Sequence, residues 1–215
     1  MIKGLIFDLD GTLLDTITDL GNSVNKALID LNYPTHSIED YKLKVGHGFR
    51  NLIEVSLPLN SDEATIDKCL ERFVYHYDKS YTETTKSYEG IDELLKNLGA
   101  QGIKLAVNSN KREDYTRNLI ALNFKDINFI DVIGQRDNMP KKPDPWAALK
   151  IAEEMGLSID EVLYVGDSNT DMQTAKNAKM KSIGVDWGFR GSKELVETGA
   201  SYIAYKASDI LDIIK

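Results

Sequence analysis

The sequence predicts an α/β fold, a doubly wound parallel sheet flanked by helices, with a small all-helical segment inserted after the first strand. Three observations carry this. From about residue 87 onward, short β-rich runs alternate with helical patterns, the rhythm of right-handed crossovers onto a parallel sheet. Runs such as KLAV and VLYV are apolar nearly throughout, as strands buried on both faces must be. About 90 residues without a good strand separate the first β-rich run from the next, far more chain than a crossover needs.

Taken in order, IKGLIFDL at 2–9 is a strand by its β-branched and apolar content. It follows no cationic leader or small-residue cleavage site, so no secretory signal is read and a cytoplasmic protein is expected. Between 16 and 83 the apolar residues recur at helical spacing in LGNSVNKALIDL, FRNLIEVSL and IDKCLERFVYHY, broken by Tyr33-Pro34 and by the glycines of VGHGFRN. This stretch reads as a helical cap domain, leaving residues 1–15 and 84–215 as the α/β core. An insert leaving after the first strand is expected to act as a lid over the sheet's carboxyl edge.

Downstream, a helix over 91–98 is expected to stop and turn at Gly99 and Gly102, followed by the strand KLAVNS at 104–109 and the helix EDYTRNLIALN. The strand FIDVIG (129–134) leads to the helix in DPWAALKIAEEMG, which Gly156 stops. VLYVGD (162–167), TDMQTAKNAKM, KSIGVD (181–186), SKELVETG and SYIAY (201–205) continue the alternation to the end.

Composition excludes several classes of function. Against 34 Asp plus Glu stand 26 Lys plus Arg, a net charge of −8, and no basic run exceeds Lys141-Lys142, so no nucleic-acid partner is expected. No apolar stretch approaches the ~20 residues of a membrane span. Cys69 is the single cysteine, which rules out an intrachain disulfide and fits a small apolar position on a helix.

The polar residues at the strand ends are more informative. Asp8, Asp10, Lys142, Asp167 and Asp171 each lie where an apolar run gives way to a turn, and a shared parallel sheet brings such positions to one crevice at its carboxyl edge. That set suits a divalent cation and a phosphate group. The period of two puts Asp8 and Asp10 on one face, so Asp8 can attack an electrophile while Asp10 serves as general acid and base. By itself, the pair equally fits two solvated carboxylates capping a strand.

DLDGTLLDT (8–16) is more specific, and with it the chain resembles the haloacid dehalogenase superfamily, whose core is a Rossmann-like sheet. Three further motifs follow in the family's order: Ser109 closing a strand, Lys142 in KPDP, and Asp167 and Asp171 in GDSNTD. The resemblance implies an aspartyl-phosphate on Asp8, with Ser109 and Lys142 holding the phosphoryl group and the acids holding Mg²⁺. The metal would take oxygens from Asp8, the Asp10 carbonyl and Asp167; Asp171 is read first as a helix N-terminal cap behind the metal and only then as a ligand.

The segments DTITDL, LNYP, VGHGFRNLI and SNK resemble phosphoglycolate phosphatases of this superfamily, which carry a helical cap between the first and second motifs. They imply a small phosphorylated metabolite as substrate, 2-phosphoglycolate first among candidates, with Asn110 at the phosphate and Gly46, His47 and Arg50 near its carboxylate. Trp187 and Gly188 in KSIGVDWGF read as a structural turn. Asp10 argues against dehalogenases and phosphonatases, which lack an acid there, and Leu20 stands where β-phosphoglucomutase-like members carry histidine. Pyrophosphate, sugar phosphates and nucleotides stay open as substrates, a β-phosphoglucomutase-like mutase stays an alternative reaction, and a receiver-like phospho-acceptor module is the non-enzymatic alternative.

Overall fold

A computed structural model describes residues 1–215. The chain divides into two compact units, Met1–Leu14 with Ser87–Lys215, and Asp15–Lys86. Its strands are β1 (Gly4–Phe7), β2 (Leu14–Asp15), β3 (Lys86–Ser87), β4 (Lys104–Arg112), β5 (Phe129–Gln135), β6 (Val162–Gly166), β7 (Lys181–Val185) and β8 (Tyr202–Ala204). Helices α1 (Ile17–Asp30), α2 (Ile38–Lys44), α3 (Phe49–Glu54) and α4 (Glu63–Ser80) belong to the second unit. The first carries α5 (Ile91–Ala100), α6 (Glu113–Asn123), α7 (Trp146–Glu154), α8 (Asn169–Asn177), α9 (Gly191–Glu197) and α10 (Asp209–Ile213).

Six strands form one parallel sheet in the order β5-β4-β1-β6-β7-β8. These are the six runs legible in the sequence, and the doubly wound α/β class is what the structure shows. Phe7 at the end of β1 stands level with Val107 on β4 and Val165 on β6. From β1 the chain works outward through β4 and β5, then crosses back to lay β6, β7 and β8 on the other side. The reversal opens a crevice at the carboxyl ends of β4, β1 and β6, the usual place for a ligand in such sheets.

One face of the sheet is covered by α7 and α8. On α7, Ala147, Ala148, Ile151 and Ala152 fall on one stripe and pack with Met155, Ala175 and Ala178 against Ile6, Ala106, Ile133, Val162 and Tyr164. Alanines at the contact let the helix backbones approach the strands closely.

Two elements depart from the sequence reading. Helix α5 runs through Gly99 to Ala100, because that glycine sits on an open face where it meets nothing, and the left-handed turn falls on Gly102 at φ +75°. The two-residue strands β2 and β3 pair as a separate ribbon, too short to leave a periodic signature, through which the chain leaves and re-enters the core.

In the second unit, α1 buries Ile17, Leu20, Val24, Ala27 and Leu28, and α4 buries Ile66, Cys69, Phe73 and Tyr77, both at helical spacing. Phe49 closes this core edge-on to Phe73 and Tyr77, with centroids 4.9 and 5.5 Å apart. Helix α2 starts at a capping box between Ser37 and Asp40, and Asp62 caps α4 through the Thr65 N–H. The buried Asp19 on α1 accepts from the backbone N–H and hydroxyl groups of both Thr84 and Thr85, fastening the returning chain to the unit's first helix. No helix of the chain is long and apolar enough to cross a membrane.

Candidate active site

β1 ends at Phe7, yet the Asp8 N–H still donates to Val165 O at 2.9 Å, so the carboxylate leaves the sheet in register with β6. Asp8 Oδ1 accepts from the Leu9 N–H at 2.7 Å and from the Lys142 ammonium at 2.8 Å. The same ammonium lies 2.8 Å from Asp171 Oδ1, and all three side chains are buried. Burial raises the Asp8 carboxyl to about 7, with help from Asp171 and against the pull of Lys142. Burial alone would depress Lys142, but Asp171 and Asp8 beside it hold its pKa well above the ordinary lysine range.

The Lys142 loop is fixed by Asn110. The Asn110 amide donates to Lys142 O at 3.1 Å and accepts from Lys142 N–H at 2.9 Å, a reciprocal clamp across the Lys142–Pro143 turn, whose peptide bond is cis. Asn110 was expected at the phosphate through its side chain or its backbone N–H, and here the side-chain amide bonds the Lys142 backbone at both ends. Ser109 is buried three residues before the end of β4, which runs on to Arg112 rather than closing at Ser109 as expected, and its hydroxyl accepts the Lys111 N–H at 3.2 Å. Tyr164 is buried beneath the lysine, with its hydroxyl donating to Asn108 O at 3.3 Å.

Asp167 follows β6. Its Oδ2 accepts the Phe189 N–H at 2.8 Å, and the Thr12 hydroxyl lies 3.4 Å from Oδ1. Burial first, then the charges of Asp171 and Asp8, lift its pKa well above the usual carboxylate range. Backbone crowds this side chain from two directions. A Cβ on Gly11, which takes φ +83°, would collide with the Asp167 carboxylate, and one on Gly188 would strike both Asp167 and the Gly11 carbonyl. The WGF turn is thus structural, as the sequence suggested, and Trp187 ties it down by donating from Nε1 to Thr12 O at 3.1 Å.

Asp171 is the N3 partner of a capping box that starts α8: its Oδ2 accepts the Ser168 N–H at 3.1 Å and hydroxyl at 2.6 Å. With Oδ1 on Lys142, both oxygens are engaged. These bonds let Asp171 orient Lys142 and the start of α8, a place that fits support behind a metal, and Oδ1 keeps a lone pair that a cation could also use.

Asp8, Asp167 and Asp171 each bring a carboxylate oxygen within 4.8 Å of the others. This hard, all-oxygen, buried set fits a divalent cation such as Mg²⁺, which would offset both the burial and the mutual repulsion that raise the pKa values of Asp8 and Asp167. Asp10 lies beside this cluster, and Lys111 holds its carboxylate through ion pairs of 2.9 and 3.0 Å. Lys111 did not stand out in the sequence, although its place two residues after Ser109 puts it in the same strand phase. Thr12 and the Phe189 N–H were also missed, since their contacts with Asp167 span 155 and 22 residues.

Gly46, His47 and Arg50 lie in the second unit, the first two ahead of α3 and Arg50 on it. Gly46 takes φ +128° and has open space where a side chain would be. Arg50 is bound to Glu54 at 3.2 Å, to Asp67 at 2.6 Å and to Glu63, so the guanidinium expected at a substrate carboxylate is occupied by protein carboxylates.

Comparison with known proteins agrees with this geometry. Residues 5–185 match the haloacid dehalogenase-like hydrolase family. The phosphoglycolate phosphatase of Nitrosospira multiformis is 32% identical over 218 residues, covering 98% of this chain and 96% of its own. That of Pseudomonas syringae pv. tomato is 33% identical over 206 residues, covering 94% and 75%. Among solved structures, a predicted phosphoglycolate phosphatase from Haemophilus somnus superposes with a TM-score of 0.91 at 26% identity, covering 100% of this chain and 98% of that one. A Lactobacillus delbrueckii protein provisionally given the same activity reaches 0.93 at 30% identity, covering 99% and 98%. With four motifs gathered at one sheet edge and relatives matched along nearly its full length, the chain belongs to the haloacid dehalogenase-like hydrolases and is a phosphatase.

Proposed function

We propose that the protein is a Mg²⁺-dependent phosphomonoester hydrolase that works through an aspartyl-phosphate on Asp8, with 2-phosphoglycolate as substrate. The observation that carries the mechanism is the placement of Asp8: one oxygen is pinned by Lys142 and the Leu9 N–H, and Asp10 sits two residues further along the same edge.

In the first step Asp8 attacks phosphorus with its other oxygen as the bond to the leaving alkoxide breaks, and Asp10 delivers a proton to that alkoxide. In the second, Asp10 takes a proton from water as the water oxygen bonds to phosphorus; the acyl phosphate bond breaks, returning the Asp8 carboxylate and releasing inorganic phosphate. Lys142 and the Ser109 hydroxyl hold the equatorial oxygens, where negative charge spreads in the transition state. Asp8, the Asp10 carbonyl and Asp167 would hold the Mg²⁺ ion, which when bound supplies Lewis-acid stabilisation of phosphate charge. The choice of 2-phosphoglycolate rests on the names of the relatives and on the cap segments that resemble theirs.

The test is phosphate release from a panel of phosphorylated metabolites, with Mg²⁺ and with chelator, for the native protein and Asp8→Asn. Activity should require Mg²⁺, should be highest on 2-phosphoglycolate, and should fall by ~10³-fold or more in the folded variant. Substantial turnover by Asp8→Asn would sink the nucleophile assignment. Another ester hydrolysed about tenfold more efficiently would displace 2-phosphoglycolate.

A further inference from the structure

The crevice holds two buried lysines, and only Lys142 has a place in the chemistry above. Lys111 is as deeply enclosed, with 1% of its side chain exposed, and its ammonium lies 2.9 Å from Asp10 Oδ1 and 3.0 Å from Oδ2. Straddling both oxygens fixes the plane of the carboxyl group as well as its position. The lysine is itself immobilised through its main chain. Its N–H donates to the Ser109 hydroxyl at 3.2 Å, and its carbonyl accepts the Thr116 hydroxyl at 3.1 Å. Across the sheet, a Cβ on Gly134 would lie 2.8 Å from Lys111 O, so glycine lets β5 pack closely against this main chain.

Burying an ammonium without strong compensation is costly, and a lysine at a strand end ordinarily extends its head into water. Here the ammonium is buried against the Asp10 carboxylate. Each acid of the first motif thereby has its own buried lysine, Lys142 on Asp8 and Lys111 on Asp10. Four carboxylates against two ammoniums leave a formal excess of two negative charges, the charge of one divalent cation.

We infer that Lys111 is a positioning residue for Asp10, holding its carboxyl group in the orientation that delivers a proton to the leaving oxygen. The inference rests on the acid–base role proposed for Asp10, and its consequence is selective. An ester whose alkoxide must be protonated as it leaves depends on that orientation, whereas p-nitrophenolate departs without a proton.

The test compares Lys111→Met, Lys111→Arg and Asp10→Asn in Mg²⁺-loaded protein. Two rates are measured for each: turnover of 2-phosphoglycolate, and single-turnover release of p-nitrophenolate from p-nitrophenyl phosphate, which isolates the first step. Lys111→Met should lower the first rate about 100-fold and the second by less than about tenfold. Lys111→Arg should recover part of the loss, and Asp10→Asn should show the same selectivity. A merely structural role predicts equal losses on both esters. Equal losses in Lys111→Met, or none, beside a selective Asp10→Asn would overturn the inference alone. An unselective Asp10→Asn would bring down the acid–base reading and the inference with it.

Discussion

At the scale of single residues, the sequence points to the polar groups that the structure gathers at one sheet edge, and not to the groups that hold them in place. Asp8, Asp167 and Lys142 are marked by their positions at strand ends inside specific motifs. The partner of Asn110 lies 32 residues away on a loop, and nothing in SNK discloses that its amide closes on the Lys142 backbone. Asn110→Ala should therefore act through Lys142: kcat falls by ~10-fold or more while circular dichroism stays native, and Lys142→Ala in the same background adds less than it does alone. Asp8 gives a second prediction. Burial raises its folded-state pKa from 3.8 to about 7, so the metal-free protein binds the extra proton when folded. The stability linked to that proton is fully present below pH ~3.8 and is lost as pH rises through about 7. Mg²⁺ needs the ionised carboxylate, so the rise in Tm on adding Mg²⁺ should be larger at pH 8 than at pH 6, with proton release at the lower pH. A Tm shift independent of pH would show that Asp8 is not a ligand.

At the scale of elements, alternation of apolar strands and amphipathic helices disclosed all six strands of the sheet, because burial on both faces leaves a strong pattern. Where no burial pattern exists, the reading lapsed. Gly99 sits on an exposed helix face and was mistaken for a stop, and the β2–β3 ribbon is two residues deep. Interactions that tie elements together leave still less trace. Asp19, buried on α1, has its carboxylate bonded by two backbone N–H groups and two hydroxyls of Thr84 and Thr85. Asp19→Ala strands those donors and should cost ~2–4 kcal/mol in urea unfolding. A loss below ~1 kcal/mol would mean that water replaces the carboxylate without strain. On the sheet, Ile151→Ala opens a cavity under α7 and should cost ~2–5 kcal/mol by the same measurement, with activity per folded molecule retained.

At the scale of the whole molecule, the gap in strand signals reads as an insert over 16–83, and the structure separates a compact unit Asp15–Lys86. The difference is the ribbon. Its two strands bring the beginning and end of the inserted unit side by side, and the Asp19 clamp secures the returning chain within that unit. The six strands of the large sheet thus lie outside the inserted unit, whose ends meet at this ribbon. Such a junction behaves like a socket. Asp8, Asp10, Lys142 and Asp167 all belong to the other unit, so exchanging the insert should leave their places unchanged. A chimera carrying a different insert between β2 and β3 should still hydrolyse p-nitrophenyl phosphate with Mg²⁺. For a lineage of enzymes, such a junction would let the inserted unit vary while the residues at the sheet edge stay fixed.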